Sequence, residues 1–184
     1  MSISKYINLG RFAVALAFVG GTSGLWAGAG DRAMSTIINQ AGETIGEATY
    51  EQGPNGVVVY IKLSGLTPGR HGMHFHAVGK CEGGEKFKTA AGHIDPAKKP
   101  HGFLHPEGPH EGNLPNLIVA ADGTAEVELY TSLVSISDGS AALLDSDGST
   151  LIIHENPDDH STQPIGGAGG RVACGLVELS LIHI

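Results

Sequence analysis

Helical periodicity is nearly absent from this 184-residue chain, and short alternating or β-branched runs take its place. Such runs cover 44–51, 56–63, 71–78, 116–120, 125–131, 150–154 and 171–181. Turn signals separate several of them, notably Gln52-Gly53-Pro54-Asn55-Gly56 and Ala121-Asp122-Gly123. Many short strands joined by Gly-rich turns predict an antiparallel sandwich or barrel. Two long stretches, 79–114 and 155–170, break the pattern. Loops of that length in a compact domain usually carry function. No internal repeat or linker divides the chain, so one domain is expected.

The first 29 residues read as a secretory signal peptide. Lys5 and Arg11 give a positive start, Phe12 to Gly21 form a short apolar run, and Ala27-Gly28-Ala29 is a small-residue cleavage site. The apolar run is shorter than the roughly 20 residues a membrane span needs. The mature domain is therefore expected to be 30–184, beginning near Gly30, in a periplasmic or secreted location. The whole chain carries a net charge of −8, and losing Lys5 and Arg11 takes it to −10. An acidic exported protein without basic patches excludes nucleic acid and anionic membrane as partners.

Cys81 and Cys174 are the only cysteines. An even count in an exported chain argues for one disulfide, with two separate buried thiols as the alternative.

Histidines crowd the middle and late chain. His74 and His76 lie two apart in a predicted strand, so they share a face, and Phe75 points the other way. His93, His101 and His110 follow at spacings of eight and nine in the long loop. His154 ends the apolar run Leu151-Ile152-Ile153. Six imidazoles are costly to bury unless each has a partner, and a transition metal is the usual one. An all-imidazole set suits copper or zinc. A solvated loop remains the simpler reading for any single histidine, as for His105, His160 and His183.

At His74-Phe75-His76-Ala77-Val78-Gly79-Lys80-Cys81, in the loop from His93 to Pro115, at His154-Glu155, and at Gly169-Gly170-Arg171-Val172-Ala173-Cys174-Gly175, the chain resembles bacterial copper/zinc superoxide dismutase. The resemblance runs from about residue 35 to the C-terminus. It implies an all-β fold, an eight-stranded antiparallel Greek-key β-barrel (an Ig-like sandwich) with two long functional loops. It implies copper on His74, His76, His93 and His154, with the deprotonated His93 ring bridging to zinc on His93, His101 and His110. The family's fourth zinc ligand is an aspartate three residues after the last zinc histidine; Asn113 stands there. Asp158 matches the carboxylate that ties a copper histidine to a zinc histidine. Arg171 matches the guanidinium beside the copper, and Cys81 with Cys174 matches the intrasubunit disulfide.

The implied reaction is dismutation of superoxide to dioxygen and hydrogen peroxide, with His93 delivering a proton. Arg171 and the metal would focus the anion, helped by Lys98 or Lys99. An amide carries no charge and is a poorer donor than a carboxylate, so zinc is expected to be held weakly unless His105 substitutes. The alternative is an exported copper/zinc-binding protein with little turnover; a structural sandwich with vestigial sites leaves the copper positions and Arg171 unexplained. Members of the family occur as monomers and as homodimers, and both forms stay open here.

Overall fold

Strands form where the side chains alternate between a buried and an outward face. The computed structural model describes residues 31–180; the expected signal segment, its cleavage site and His183 lie outside them. In chain order the strands are β1 (Arg32–Asn39), β2 (Thr44–Gly53), β3 (Gly56–Leu63), β4 (Gly69–His71) and β5 (Met73–His76). They continue with β6 (Leu117–Val119), β7 (Ala125–Thr131), β8 (Thr150–His154), β9 (Arg171–Leu176) and β10 (Glu178–Leu179). In β3, Val57, Val59, Ile61 and Leu63 are buried while Val58 and Lys62 face outward, the period-two pattern of a half-buried strand.

All strand pairing is antiparallel. The large sheet runs β5-β8-β9-β1-β2-β3-β7, with β10 beside β1, and β4 pairs with β6 in a short second sheet. β4 and β5 are two parts of one run interrupted at Gly72, and β6 lies against β7, so the short sheet connects the ends of the large one. Strands distant in sequence thus become neighbours, as β3 with β7 and β5 with β8, in a Greek-key β-barrel. Its interior holds Ile37, Tyr50, Val59, Ile61, Phe75, Leu117, Leu151 and Ile153. Ser35 Oγ and the Tyr50 hydroxyl meet there at 2.9 Å, which satisfies two otherwise costly groups.

Four expectations about the strands need correction. β1 lies outside the expected runs. Its inward positions are Ala33, Ser35 and Ile37, only one of them a strong strand former, so local pattern carries little signal and the flanking strands impose the conformation. The run 71–78 is broken at Gly72, whose N–H donates to the Asn156 carbonyl (2.8 Å) and whose carbonyl accepts from the His154 N–H (2.8 Å). A Cβ at Gly72 would press on Ala168 Cβ at 2.9 Å and Asp158 Cβ at 3.3 Å, so the break lets a functional loop approach. The run 171–181 stops at Leu176 because the Val177 N–H turns to the Ser149 carbonyl, before β10 resumes on β1. A third irregular stretch, 132–149, also exists, anchored by buried Val134, Ile136 and Leu143. The loops 79–114 and 155–170 are irregular as expected, apart from two short 3₁₀ turns at Gly83–Glu85 and Lys88–Ala90.

Cys81 and Cys174 form the disulfide, so the two-thiol alternative falls. Cys174 is buried with Phe87, Ala90 and Ile152 in a small cluster beneath the 79–91 segment. The bond closes a loop with a sequence separation of 93. On the chain-entropy model this stabilises the fold by about 4–5 kcal/mol. Replacing Cys174 with serine should lower the unfolding midpoint by about 8–20 °C in a calorimetric scan. A shift under about 2 °C would mean that the barrel alone carries the stability.

Candidate metal centre

The barrel wall supplies the first two histidines. His74 and His76 leave β5 on one face, both buried, while Phe75 enters the core. The long loop then folds along the free edge of β5. The Phe75 N–H donates to the Gly112 carbonyl, the Ile94 N–H to the Phe75 carbonyl and the Ala77 N–H to the Gly92 carbonyl, each at 2.9 Å. Those bonds set His93 opposite His76 and Asn113 opposite His74. His154 arrives from the end of β8, which pairs with β5. Ladder geometry therefore gathers residues from three distant parts of the chain.

One ring nitrogen each from His74, His76, His93 and His154 lies within 4.8 Å of the others. The nitrogens without any partner are His74 Nδ1, His76 Nε2, His93 Nε2 and His154 Nε2, all buried. The opposite nitrogen of each ring is engaged: His74 Nε2 with Asp158 (2.7 Å), His76 Nδ1 with the Ala91 carbonyl (2.9 Å), and His154 Nδ1 with the Gly169 carbonyl (3.2 Å). Carboxylate and carbonyl oxygens only accept, so those nitrogens carry the protons. The inward nitrogens of these three rings are then bare lone pairs. Burial, then neighbouring positive groups, push the His76 and His93 rings far below the ordinary imidazole range, and His154 to about 3. Burial lowers His74 as well, against the pull of Asp158. Neutral donors converging without protons are what a copper ion requires, and this nest fits it.

A second nest adjoins the first through His93. His93 Nδ1 lies 3.0 Å from His110 Nε2, which lies 3.2 Å from His101 Nδ1. A tetrahedral zinc with bonds of about 2.0–2.1 Å spaces its nitrogens by about 3.3–3.4 Å, so these three fit with little movement. The fourth corner differs. Asn113, fully buried, turns its Oδ1 to the Gly102 N–H (3.2 Å) and its Nδ2 to His101 Nδ1 (3.2 Å). An amide N–H therefore faces the nest where a metal needs an oxygen.

Asp158 joins the two nests. Its Oδ2 meets His74 Nε2 at 2.7 Å, and His101 Nε2 lies 3.0 Å from both oxygens. Burial alone would raise this carboxyl, but hydrogen bonds from His101, His74 and the His160 N–H hold it well below the usual range. The loop around it is clamped by Asn116, whose Oδ1 accepts from the Asp158 N–H (2.7 Å) and whose Nδ2 donates to the Asp158 carbonyl (2.8 Å). Gly166 at φ +62° leaves the space that the carboxylate fills. Asn116 and Gly166 carry no sequence signal of their own. His71 likewise stands outside the sequence pattern: its two ring nitrogens meet the His154 carbonyl at 2.7 Å and the Thr67 carbonyl at 2.8 Å, tying down the end of β8.

A model of the family described as copper/zinc superoxide dismutase matches residues 44–177. The chain belongs to the copper/zinc superoxide dismutase family.

Its relatives include a copper/zinc superoxide dismutase of Caulobacter vibrioides, 48% identical over 149 residues, covering 78% of this chain and 85% of that protein. One from Aquifex aeolicus is 42% identical, covering 77% and 85%. The crystal structure of a superoxide-dismutase-like protein from Bacillus subtilis superposes with a TM-score of 0.74 at 35% identity, covering 77% of this chain and 95% of that one. The protein is thus a superoxide dismutase of the class that uses copper and zinc.

In this dismutase one cleft is lined by His76, His93, His101, His110, Lys98, Lys99 and Arg171. Arg171 is held rigidly: Nη1 donates to the Phe87 carbonyl (2.6 Å) and Nη2 to the Ala91 carbonyl (2.5 Å). The Ala91 carbonyl thus serves both Arg171 and His76. His105 does not join either nest; its Nδ1 accepts from the Glu107 N–H at 3.2 Å. Substitution for Asn113 by His105 is therefore not seen.

Proposed function

We propose that the chain dismutates superoxide at a copper ion held by His74 Nδ1 and by Nε2 of His76, His93 and His154, beside a zinc site weakened by Asn113. The observation that carries this reading is the set of four buried ring nitrogens that face one another without partners. Bound copper supplies a one-electron couple, so that two superoxide ions and two protons become dioxygen and hydrogen peroxide. The chain's own task is to hold four neutral donors, keep their tautomers fixed, and draw an anion to them.

Arg171, Lys98 and Lys99 outnumber Asp95 in the lining of the cleft and give it a local positive field on an otherwise acidic protein. Local field, not total charge, sets the capture rate. Replacing Arg171 with isoleucine should lower kcat/KM about tenfold or more and flatten its dependence on salt, measured by pulse radiolysis. Unchanged kinetics would remove Arg171 from anion capture.

Asn113 cannot do what an aspartate would do. A carboxylate can accept from the Gly102 N–H with one oxygen and bind zinc with the other. For the amide to offer its oxygen it must flip, leaving the buried Gly102 N–H facing an NH₂, at a cost of about 1–3 kcal/mol. Changing Asn113 to aspartate should raise zinc affinity at least about tenfold in a chelator competition. Equal affinities would show that the amide serves as well as a carboxylate.

Asn113 also keeps alive a second reading, an exported metal reservoir with little turnover. Superoxide scavenging by copper-loaded protein, with His74→Ala as the inactive control, separates the two. Export rests on the signal-like segment 1–29 and on the disulfide, which belongs to an oxidising compartment.

A further inference from the structure

The stretch that delivers His101 to the second nest is held by a side chain that belongs to neither nest. Gln163, in the 155–170 loop and in the wall of the cleft, reaches across to the backbone of His101. Its Oε1 accepts from the His101 N–H at 2.8 Å, and its Nε2 donates to the His101 carbonyl at 2.9 Å. One amide thus meets both backbone polar groups of one residue, as a neighbouring strand would. The same Nε2 donates to the Ser161 carbonyl at 2.9 Å. Turning the amide over would set its oxygen against two carbonyls, so its orientation is fixed.

The segment behind Gln163 is tied to itself. Asp159 Oδ1 accepts from the Ser161 and Thr162 N–H groups at 2.9 and 2.8 Å, and Oδ2 accepts from the Thr162 hydroxyl at 2.6 Å. The Thr162 carbonyl accepts from the Gly166 N–H (2.7 Å), and the Gly166 carbonyl from the Asp159 N–H (2.9 Å). Gln163 therefore projects from a closed turn. Beside it the Leu104 N–H donates to the His160 carbonyl at 2.9 Å, which joins the two loops a second time.

We infer that Gln163 is a positioning residue for the zinc site, fixing the His101 backbone while Asp158 fixes the ring. His101 Nε2 lies 3.0 Å from Asp158, so ring and backbone are each anchored before an ion arrives. A ligand held at both ends needs less ordering on binding, and such preorganisation raises affinity. It matters more where the fourth corner is an amide, as at Asn113. The copper-side histidines His74, His76 and His154 take their places from the pairing of β5 with β8 and owe nothing to Gln163. The inference rests on the zinc half of the proposed reading, and its effect falls on zinc and spares copper.

The test uses full-length mature protein stripped of metal and compares wild type with Gln163→Met, which keeps the side-chain length and loses both hydrogen bonds. Zinc affinity is measured by chelator competition in copper-loaded protein, and copper affinity in zinc-free protein. Cobalt(II) placed in the zinc site reports its geometry through visible absorption, and hydrogen exchange of the His101 amide in metal-free protein reads the anchor directly. Gln163→Met should weaken zinc about tenfold, speed His101 exchange about tenfold, alter the cobalt bands and move copper affinity less than about twofold. Gln163→Glu keeps the acceptor, so it should keep the slow exchange of the His101 amide. Zinc affinity of Gln163→Met within about twofold of wild type would overturn the assignment. So would equal losses for zinc and copper, which would make Gln163 a support of the fold alone. If zinc binding and exchange behave as stated but fully loaded wild type scavenges no superoxide, the dismutase reading fails and the Gln163 assignment stands.

Discussion

Asp158→Asn should weaken copper more than zinc, by about 10- to 100-fold, with little change in fold. The asymmetry follows from which oxygen has other work. Oδ1 accepts from the His160 N–H as well as facing His101, so an asparagine would keep its oxygen on that side. Its NH₂ would then face His74 Nε2, where Asp158 Oδ2 now accepts at 2.7 Å. Two donors cannot share that contact, so the His74 proton must move to Nδ1, the nitrogen that faces the copper position. One of four donors is thereby lost without touching a ligand residue. Chelator competition for each metal, with circular dichroism as the folding control, reads the effect. Equal losses for both metals would mean that Asp158 acts through loop order and not through the His74 tautomer.

Metal-free protein should unfold on mild acidification. Burial, and then His101, push His110 to about 4; burial, and then His74, push His154 to about 3; His74, His76 and His93 are lowered by burial too. In the unfolded chain these rings take up protons near pH 6.5. Below that pH the unfolded state binds more protons than the folded state, so stability falls as pH falls. The stability is intact above about pH 6.5, and the loss accumulates down to about pH 4 for His110 and about pH 3 for His154. Each fully shifted ring costs on the order of 2 kcal/mol by pH 5. Over His93, His110 and His154 alone this comes to about 6 kcal/mol, within the roughly 5–15 kcal/mol that holds an ordinary domain folded. Copper competes with those protons for the same lone pairs, so the loaded protein should hold about one pH unit lower or more. Coincident acid transitions for the two forms would show that the rings do not govern acid stability.

Much of this was legible because period-two burial writes itself into sequence. Residues 56–63, 125–131 and 150–154 have the expected bounds, since each alternates or runs apolar between clear turns. β1 escaped because its inward side chains are small, and a small residue says little until its neighbours are known. The break at Gly72 escaped for a similar reason: it serves Ala168 and Asp158, nearly a hundred residues on. The ligand-type histidines could be listed from spacing and family resemblance. Their partners could not, because Asn116, His71 and Gly166 act through contacts that no local pattern encodes. Asn113 was visible as a departure, but only the Gly102 N–H explains why the amide is held with its nitrogen inward.

The loop that carries His93 and Asn113 also has a second tenant's role, since it is the only cover on the outer side of β5 among the described residues. Gly92, Ile94 and Gly112 occupy backbone positions that a neighbouring strand would otherwise take. Should that loop lift away when its histidines lose their ion, β5 would present open N–H and C=O groups flanked by Met73 and Phe75. Such an edge recruits another strand as readily as it held the loop. The backbone bonds that set His93 and Asn113 beside the strand histidines are thus the same bonds that cap this sheet edge.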